Sequence, residues 1–233
     1  MTAAFILSEL LSMANPEKAA FLQGFFKTGP GQYAEGDVFL GLVAPLTRSI
    51  AKANKKTPLD ELQILIESEY HEARLCALLI VVEQFKKATE AERKKLYDFY
   101  LDNAGRINNW DLVDVTCPYV VGLYLLDKDR SRLYELAKSE CLWEQRIAMV
   151  STVTFIRNRE FTDTLALAEK LMTHKHDLMH KAVGWMLREV GKKDRETLTE
   201  FLEEYATRLP RTALRYAIEH YPEEQRQYFL KKK

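Results

Sequence analysis

The sequence predicts an all-α protein, an α-solenoid of stacked helix pairs with a concave groove, occupying residues 1–233 as one domain. Three observations predict it. Helix start signals recur along the chain. No stretch alternates apolar and polar residues in strand fashion for more than a few positions. An apolar pattern returns every 36 residues when Val38, Arg74, Trp110, Arg146 and Ala182 are read as equivalent. The segments VFLGLVAPL, RLCALLIVV, WDLVDVTCPYV, RIAMVSTVTF and AVGWMLREV then align. One helix pair cannot bury its own apolar faces, so pairs at this period must stack.

The elements follow from local signals. Asn15-Pro16-Glu17 supplies an N-cap, a proline at the first helical position and an acid in the first turn. Residues 28–37, in which glycines surround a proline, a tyrosine and two acids, predict a loop or short hairpin. No Gly-Lys-Ser/Thr closes that loop, so it is not a phosphate-binding P-loop. Thr57-Pro58 repeats the start signal, Thr89 with Glu92 fits a capping box, and Asp177 and Asp194 mark later starts. The β-branched stretch Val150 to Phe155 keeps a helical period into Arg157. The period lies between the tetratricopeptide and HEAT lengths, and the tetratricopeptide consensus is missing, so a HEAT-like array fits better. Two places after the aligned positions come Leu40, Cys76, Leu112, Ala148 and Gly184, where small residues let neighbouring helices approach closely.

Composition narrows the function classes. Lys plus Arg and Asp plus Glu each number 34, for a formal net charge of zero. That excludes nucleic-acid binding by bulk charge and leaves room for a local basic face. Three cysteines share no metal-type spacing, which predicts a reduced, cytoplasmic setting. The N-terminus lacks the basic region of a signal peptide, and the apolar run Leu75 to Val82 is too short for a bilayer. A monomer with no cofactor and no membrane partner is expected.

One position breaks the repeat. Four places after the aligned residues come Leu42, Leu78, Asp114, Val150 and Met186, four apolar residues and one acid. A carboxylate on the packing side of a helix costs several kcal/mol unless compensated. Asp114 is therefore a paired structural charge or a working group. Trp110 lies four residues before it, on the same helix face. In repeat coordinates Arg74, Trp110, Asp114, Arg146 and Trp185 fall on one strip, a mix suited to an anionic ligand with a flat or cationic part. The structural alternative is also open: acids favour helix N-termini, tryptophans fill repeat cores, and Arg146 could pair with Glu144 or Asp114. His174, His176 and His180 lie close in sequence, but no acid ligand accompanies them, and no metal site is expected.

Three segments carry a resemblance: Asn-Trp-Asp-Leu-Val-Asp (109–114), Leu-Trp-Glu-Gln-Arg-Ile-Ala (142–148) and Lys-Ala-Val-Gly-Trp-Met-Leu-Arg-Glu (181–189). With Asn-Pro-Glu-Lys-Ala (15–19), they resemble the AlkD-like DNA alkylation-repair glycosylases. The resemblance implies a HEAT-like solenoid that binds duplex DNA containing alkylated bases and excises cationic N3- and N7-alkylated purines. It implies catalytic roles for Trp110, Asp114 and Trp185, and DNA contact by Arg146. Arg74, Lys181, Arg188 and Phe25 are further DNA-contact candidates, Phe25 standing where some members carry a tyrosine. Lys192, Lys193, Arg195, Arg208, Arg211 and Arg215 could extend the basic track, and Lys231 to Lys233 reads as a frayed tail. The rival readings are a non-catalytic HEAT-like module for branched or damaged DNA, and a protein-binding solenoid with Trp110 and Trp185 as interface anchors.

Overall fold

A computed structural model describes residues 1–232. Among these residues the regular structure is helical, and extended pairing is limited to an isolated parallel bridge between Val38 and Tyr70. The repeat reading treats the chain as one array. By contact density it divides into two compact units, Met1–Thr116 and Cys117–Lys233.

The first unit holds α1 (Ala3–Ser12), α2 (Pro16–Phe25), α3 (Ala44–Ala53), α4 (Leu59–Ile66), α5 (His71–Phe85), α6 (Glu90–Asp102), a 3-10 turn (Ala104–Arg106) and α7 (Trp110–Asp114). The start signals act largely as expected. The Asn15 side chain accepts from the Lys18 N–H and Pro16 opens α2. Thr89 and Glu92 form a full capping box on α6. Thr57 behaves differently: its hydroxyl turns back to the Asn54 carbonyl, Pro58 takes the cap position, and α4 starts without a side-chain cap.

Helix α5 is the centre of this unit. Every residue from His71 to Val82 is buried, as is Phe85, and α1, α3, α4, α6 and α7 pack around it. A helix apolar on all sides along most of its length belongs inside a core. The first member of the repeat register departs from the rest. Residues 38–43 are not helical, and Gly41 adopts φ +85°. A Cβ at Gly41 would lie 2.2 Å from the Asn15 carbonyl oxygen, so only glycine permits this approach to the start of α2.

The second unit holds a π-helical turn (Pro118–Gly122), α8 (Ser131–Leu136), α9 (Leu142–Ser151), α10 (Val153–Arg157), α11 (Thr162–Leu171), α12 (Asp177–Lys193), α13 (Arg195–Tyr205), α14 (Arg211–Ala217) and α15 (Glu223–Lys231). The 150–157 stretch is helical, as its period predicts, with a break at Thr152. Helix α12 is central, packed by α9, α10, α11, α13 and α14. Gly184 meets the small-residue expectation: a Cβ there would lie 2.5 Å from the Ala213 carbonyl oxygen on α14. The tail is less frayed than its composition suggests. Lys231 ends α15 and Lys232 pairs with Glu203, while Lys233 lies outside the described residues.

The register that singles out Asp114 has a physical counterpart. Its equivalents Leu42, Leu78, Val150 and Met186 are all buried, whereas Asp114 is half-buried.

Candidate active site

Helix α7 is short and well anchored. The Asn109 side chain accepts from the Trp110 N–H at 2.8 Å and caps its start. Pro118 has no N–H for the carbonyl four residues earlier, so the α-helix cannot run on regularly. Trp110 and Asp114 therefore stand at the two ends of a five-residue helix, one turn apart and both half-buried. Asp114 occupies the C-terminal end, where the backbone dipole is negative. Carboxylate and helix end together favour a cation at that place.

Behind α7 lies a buried charge cluster that joins three parts of the first unit. Asp37 closes the glycine-rich loop, His71 and Arg74 sit in the first turn of α5, and Asp111 sits in α7. His71 Nδ1 lies 3.2 Å from Asp37 Oδ2, and its Nε2 lies 2.8 Å from Asp111 Oδ2. Both partners are carboxylates, which accept but do not donate when ionised, so His71 must hold a proton on each nitrogen. Burial opposes that charge. The Asp111 carboxylate and the hydrogen bonds to Asp111 and Asp37 outweigh burial and the repulsion from Arg74, raising the His71 pKa to about 9. Burial also pushes Asp37 up, but His71, Arg74 and Asn108 hold it below the usual carboxylate value. Arg74 Nη2 donates to Asp37 at 2.6 Å and to Asn108 at 3.2 Å, and its Nη1 donates to the carbonyls of Ser68 and Glu69. Beside them the Glu72 carboxylate accepts from the backbone N–H groups of Leu40, Gly41 and Leu42, fixing the segment after the loop.

Aromatic rings lock the indole of Trp110. Its Nε1–H donates to the Tyr33 hydroxyl at 3.2 Å. Phe26 stacks against it at 5.3 Å and Phe25 meets it edge-on at 6.2 Å between centroids. Phe26 also stacks on Phe39 and leans on His71. Phe25 and Phe26 continue into the wall of a cavity of about 410 Å³, shared with Phe21, Leu22, Leu75 and Asp111. Phe21 and Phe25 remain 70% and 53% exposed, so an aromatic rim faces solvent beside α7.

In the second unit, Lys181, Trp185 and Arg188 follow one another along one face of α12. Trp185 is half-buried and its Nε1–H donates to Glu189 at 3.2 Å. Lys181 pairs with Asp177 at 2.8 Å, and Arg188 pairs with Glu219. Arg146 is only 4% exposed and donates to the Leu178 carbonyl at 2.5 Å, tying α9 to the start of α12. The three histidines serve backbone geometry: His176 Nδ1 caps α12 by accepting from Leu178, His174 accepts from the His176 N–H, and His180 donates to the His174 carbonyl.

The structure thus brings Trp110 and Phe25 into contact and puts Asp114 on the same short helix as Trp110. It sets Lys181, Trp185 and Arg188 together on α12. Arg74 and Arg146 are not surface cations. Both are buried, and each guanidinium donates to protein acceptors, Arg74 to Asp37 and Arg146 to the Leu178 carbonyl. Sequence reasoning missed Tyr33, Asp37, His71, Asn108 and Asp111 as supports. A signal existed for one of them: His71, Glu72 and Arg74 crowd the entrance of the longest apolar run.

Fold and side chains define a helical-repeat protein that presents an indole and a carboxylate one turn apart on α7, and a second indole flanked by cations on α12. A family model described as DNA alkylation repair enzyme matches residues 6–221, and the chain belongs to that family. Membership places it among enzymes of DNA alkylation repair, with DNA as partner. A solved structure described as a predicted DNA alkylation repair enzyme from Enterococcus faecalis is similar, with a TM-score of 0.69 and 18% identity over 90% of this chain and 97% of that one. At that identity the likeness speaks for the fold. No curated protein matches the chain. Among the described residues no helix is long and apolar enough to cross a membrane, and no group of three or more His, Cys, Asp or Glu has the arrangement of a metal site.

Proposed function

We propose that this protein is a DNA glycosylase that hydrolyses the N-glycosidic bond of cationic N3- and N7-alkylated purines in duplex DNA, releasing 3-alkyladenine and 7-alkylguanine. The observation that carries the reading is Asp114, a half-exposed carboxylate where the equivalent repeat positions are buried and apolar, one turn from a fixed, half-exposed indole. An alkylated purine of this kind is already cationic and leaves with the bonding electron pair as a neutral base. Positive charge then builds on the deoxyribose. A carboxylate held at a helix C-terminus stabilises that charge and orients the water that adds to the sugar carbon. The face of Trp110 attracts the cationic base or sugar by roughly 0.5–2 kcal/mol, and on α12 the face of Trp185 offers a like attraction to a cationic group. Lys181 and Arg188 meet backbone phosphates, Phe25 packs on the nucleotide beside Trp110, and Arg74 and Arg146 act from within as struts for α7 and α12.

The test is incubation of the protein with methylated duplex DNA and detection of free base. Release is expected, with a loss of at least about tenfold for Asp114→Asn, the scale of removing one electrostatic stabiliser. Tight binding without release would instead favour a non-catalytic DNA module. Absence of DNA binding at low salt would favour a protein-binding solenoid.

A further inference from the structure

The Asp37–His71–Asp111 bridge includes neither Trp110 nor Asp114, yet it forms a polar tie between α5 and α7. We infer that His71 is a positioning residue: by bridging the glycine-rich loop at Asp37 to Asp111, it sets the placement of α7 and hence of Trp110 and Asp114. This rests on the reading of α7 as the catalytic helix.

Three observations converge on it. His71 is 1% exposed and both its ring nitrogens are engaged, one on each side. The second anchor, Asp111, neighbours Trp110 directly and lies three residues before Asp114, so on a five-residue helix any shift of Asp111 moves both. The first anchor, Asp37, is itself held by Arg74 at 2.6 Å and by Asn108 at 2.8 Å, so the bridge ends on a fixed point. The same loop supplies Tyr33, which receives the Trp110 Nε1–H. Loop and helix are therefore tied twice, once through an indole and once through an imidazolium. A packing residue of the same shape would fill the space but would not couple the two carboxylates. The charges facing His71 are Asp37 from the loop, Arg74 from its own helix and Asp111 from α7.

The experiment compares wild type, His71→Gln, Asp111→Ala and the double variant His71→Gln/Asp111→Asn. A glutamine carries its donors on one nitrogen, so it cannot bridge both carboxylates: when that nitrogen donates to Asp37, its carbonyl faces the Asp111 carboxylate and the tie is lost on that side. In the double variant the side-chain amide introduced at position 111 donates back to that carbonyl and restores an uncharged bridge. Two readouts are taken: kcat and KM on methylated duplex DNA, and the indole N–H resonances of the free protein. His71→Gln should lower kcat by about tenfold or more, since misplacement on the ångström scale costs up to about a hundredfold. KM should stay within about twofold. The Trp110 resonance should move while those of Trp143 and Trp185 stay. The double variant should recover most of the rate and the Trp110 position. Should His71→Gln fail to fold, Asp111→Ala cuts the same bridge from its more exposed end and should give the same split. A Trp110 resonance unmoved in the folded single variants, or a double variant no better than His71→Gln, overturns the inference. Absence of base release by wild type would defeat the glycosylase reading alone, because the resonances still decide whether His71 positions α7.

Discussion

The indole Nε1–H of Trp110 donates to the hydroxyl of Tyr33 across 77 positions of sequence, at 3.2 Å. A loop dense in glycine thereby fixes the ring on which the proposed chemistry depends. Tyr33→Phe keeps the ring and removes the acceptor. A net hydrogen bond of this kind is worth about 1 kcal/mol. Base release should fall by about two- to fivefold, with thermal stability lowered by no more than that energy. An unchanged rate would show that the aromatic stack alone holds Trp110.

Stability should depend on pH through His71. Its pKa rises from about 6.5 in the unfolded chain to about 9 in the fold. Below about pH 6.5 both states hold the proton and the full stabilisation is present. Between about 6.5 and 9 the unfolded chain gives up a proton that the fold keeps, so stability falls with rising pH by an amount of order a few kcal/mol. Thermal melts across this range should slope downward for wild type and flatten for His71→Gln. Parallel curves would contradict a charged His71.

Arg74 is expected to matter for folding first and for DNA only through α7. Arg74→Met keeps the bulk but leaves Asp37 buried without its guanidinium partner and two carbonyls without their donor. Breaking a buried pair on one side costs about 3–5 kcal/mol. Urea unfolding should show a lower midpoint with an unchanged slope. A stability within about 0.5 kcal/mol of wild type would refute the strut role.

On α12 the candidate phosphate contacts are already paired with acids, so DNA must compete for them. Glu219→Gln weakens the closer of the two acid contacts of Arg188, leaving Glu189 at 3.7 Å, and should tighten duplex binding. Lys181→Ala should weaken binding evenly across sequences and reduce the slope of log K against log salt by about 1. Fluorescence anisotropy at several salt concentrations reads both. If neither variant changes affinity, that face of α12 does not meet DNA.

Gly184→Ala places a methyl group 2.5 Å from the Ala213 carbonyl oxygen, which backbone cannot yield cheaply. Overpacking of this kind costs about 1–3 kcal/mol. Chemical denaturation should register that loss, and Gly184→Ser should behave no better.

Much of this molecule is legible from local patterns. Helix starts at Asn15, Thr89 and Asp194 are decided within three or four residues, because the side chain that caps a helix bonds a backbone N–H of its first turn. The burial of α5 follows from an apolar run with no polar face. The pairing of Trp110 with Asp114 on one helix needs only the four-residue spacing, and the repeat register marks Asp114 as the exception.

Other features belong to the folded chain alone. His71 meets Asp37 and Asp111 from 34 and 40 positions away, and no spacing rule joins such distant residues. Arg74 and Arg146 look like groove cations in the register, but the fold buries them: Asp37 and two carbonyls converge on the Arg74 guanidinium, and the Leu178 carbonyl meets that of Arg146, only after the helices pack. Side-chain chemistry and helical period are written along the chain. Which charges neutralise one another is settled in three dimensions, where desolvation makes an unpaired buried ion too costly to keep.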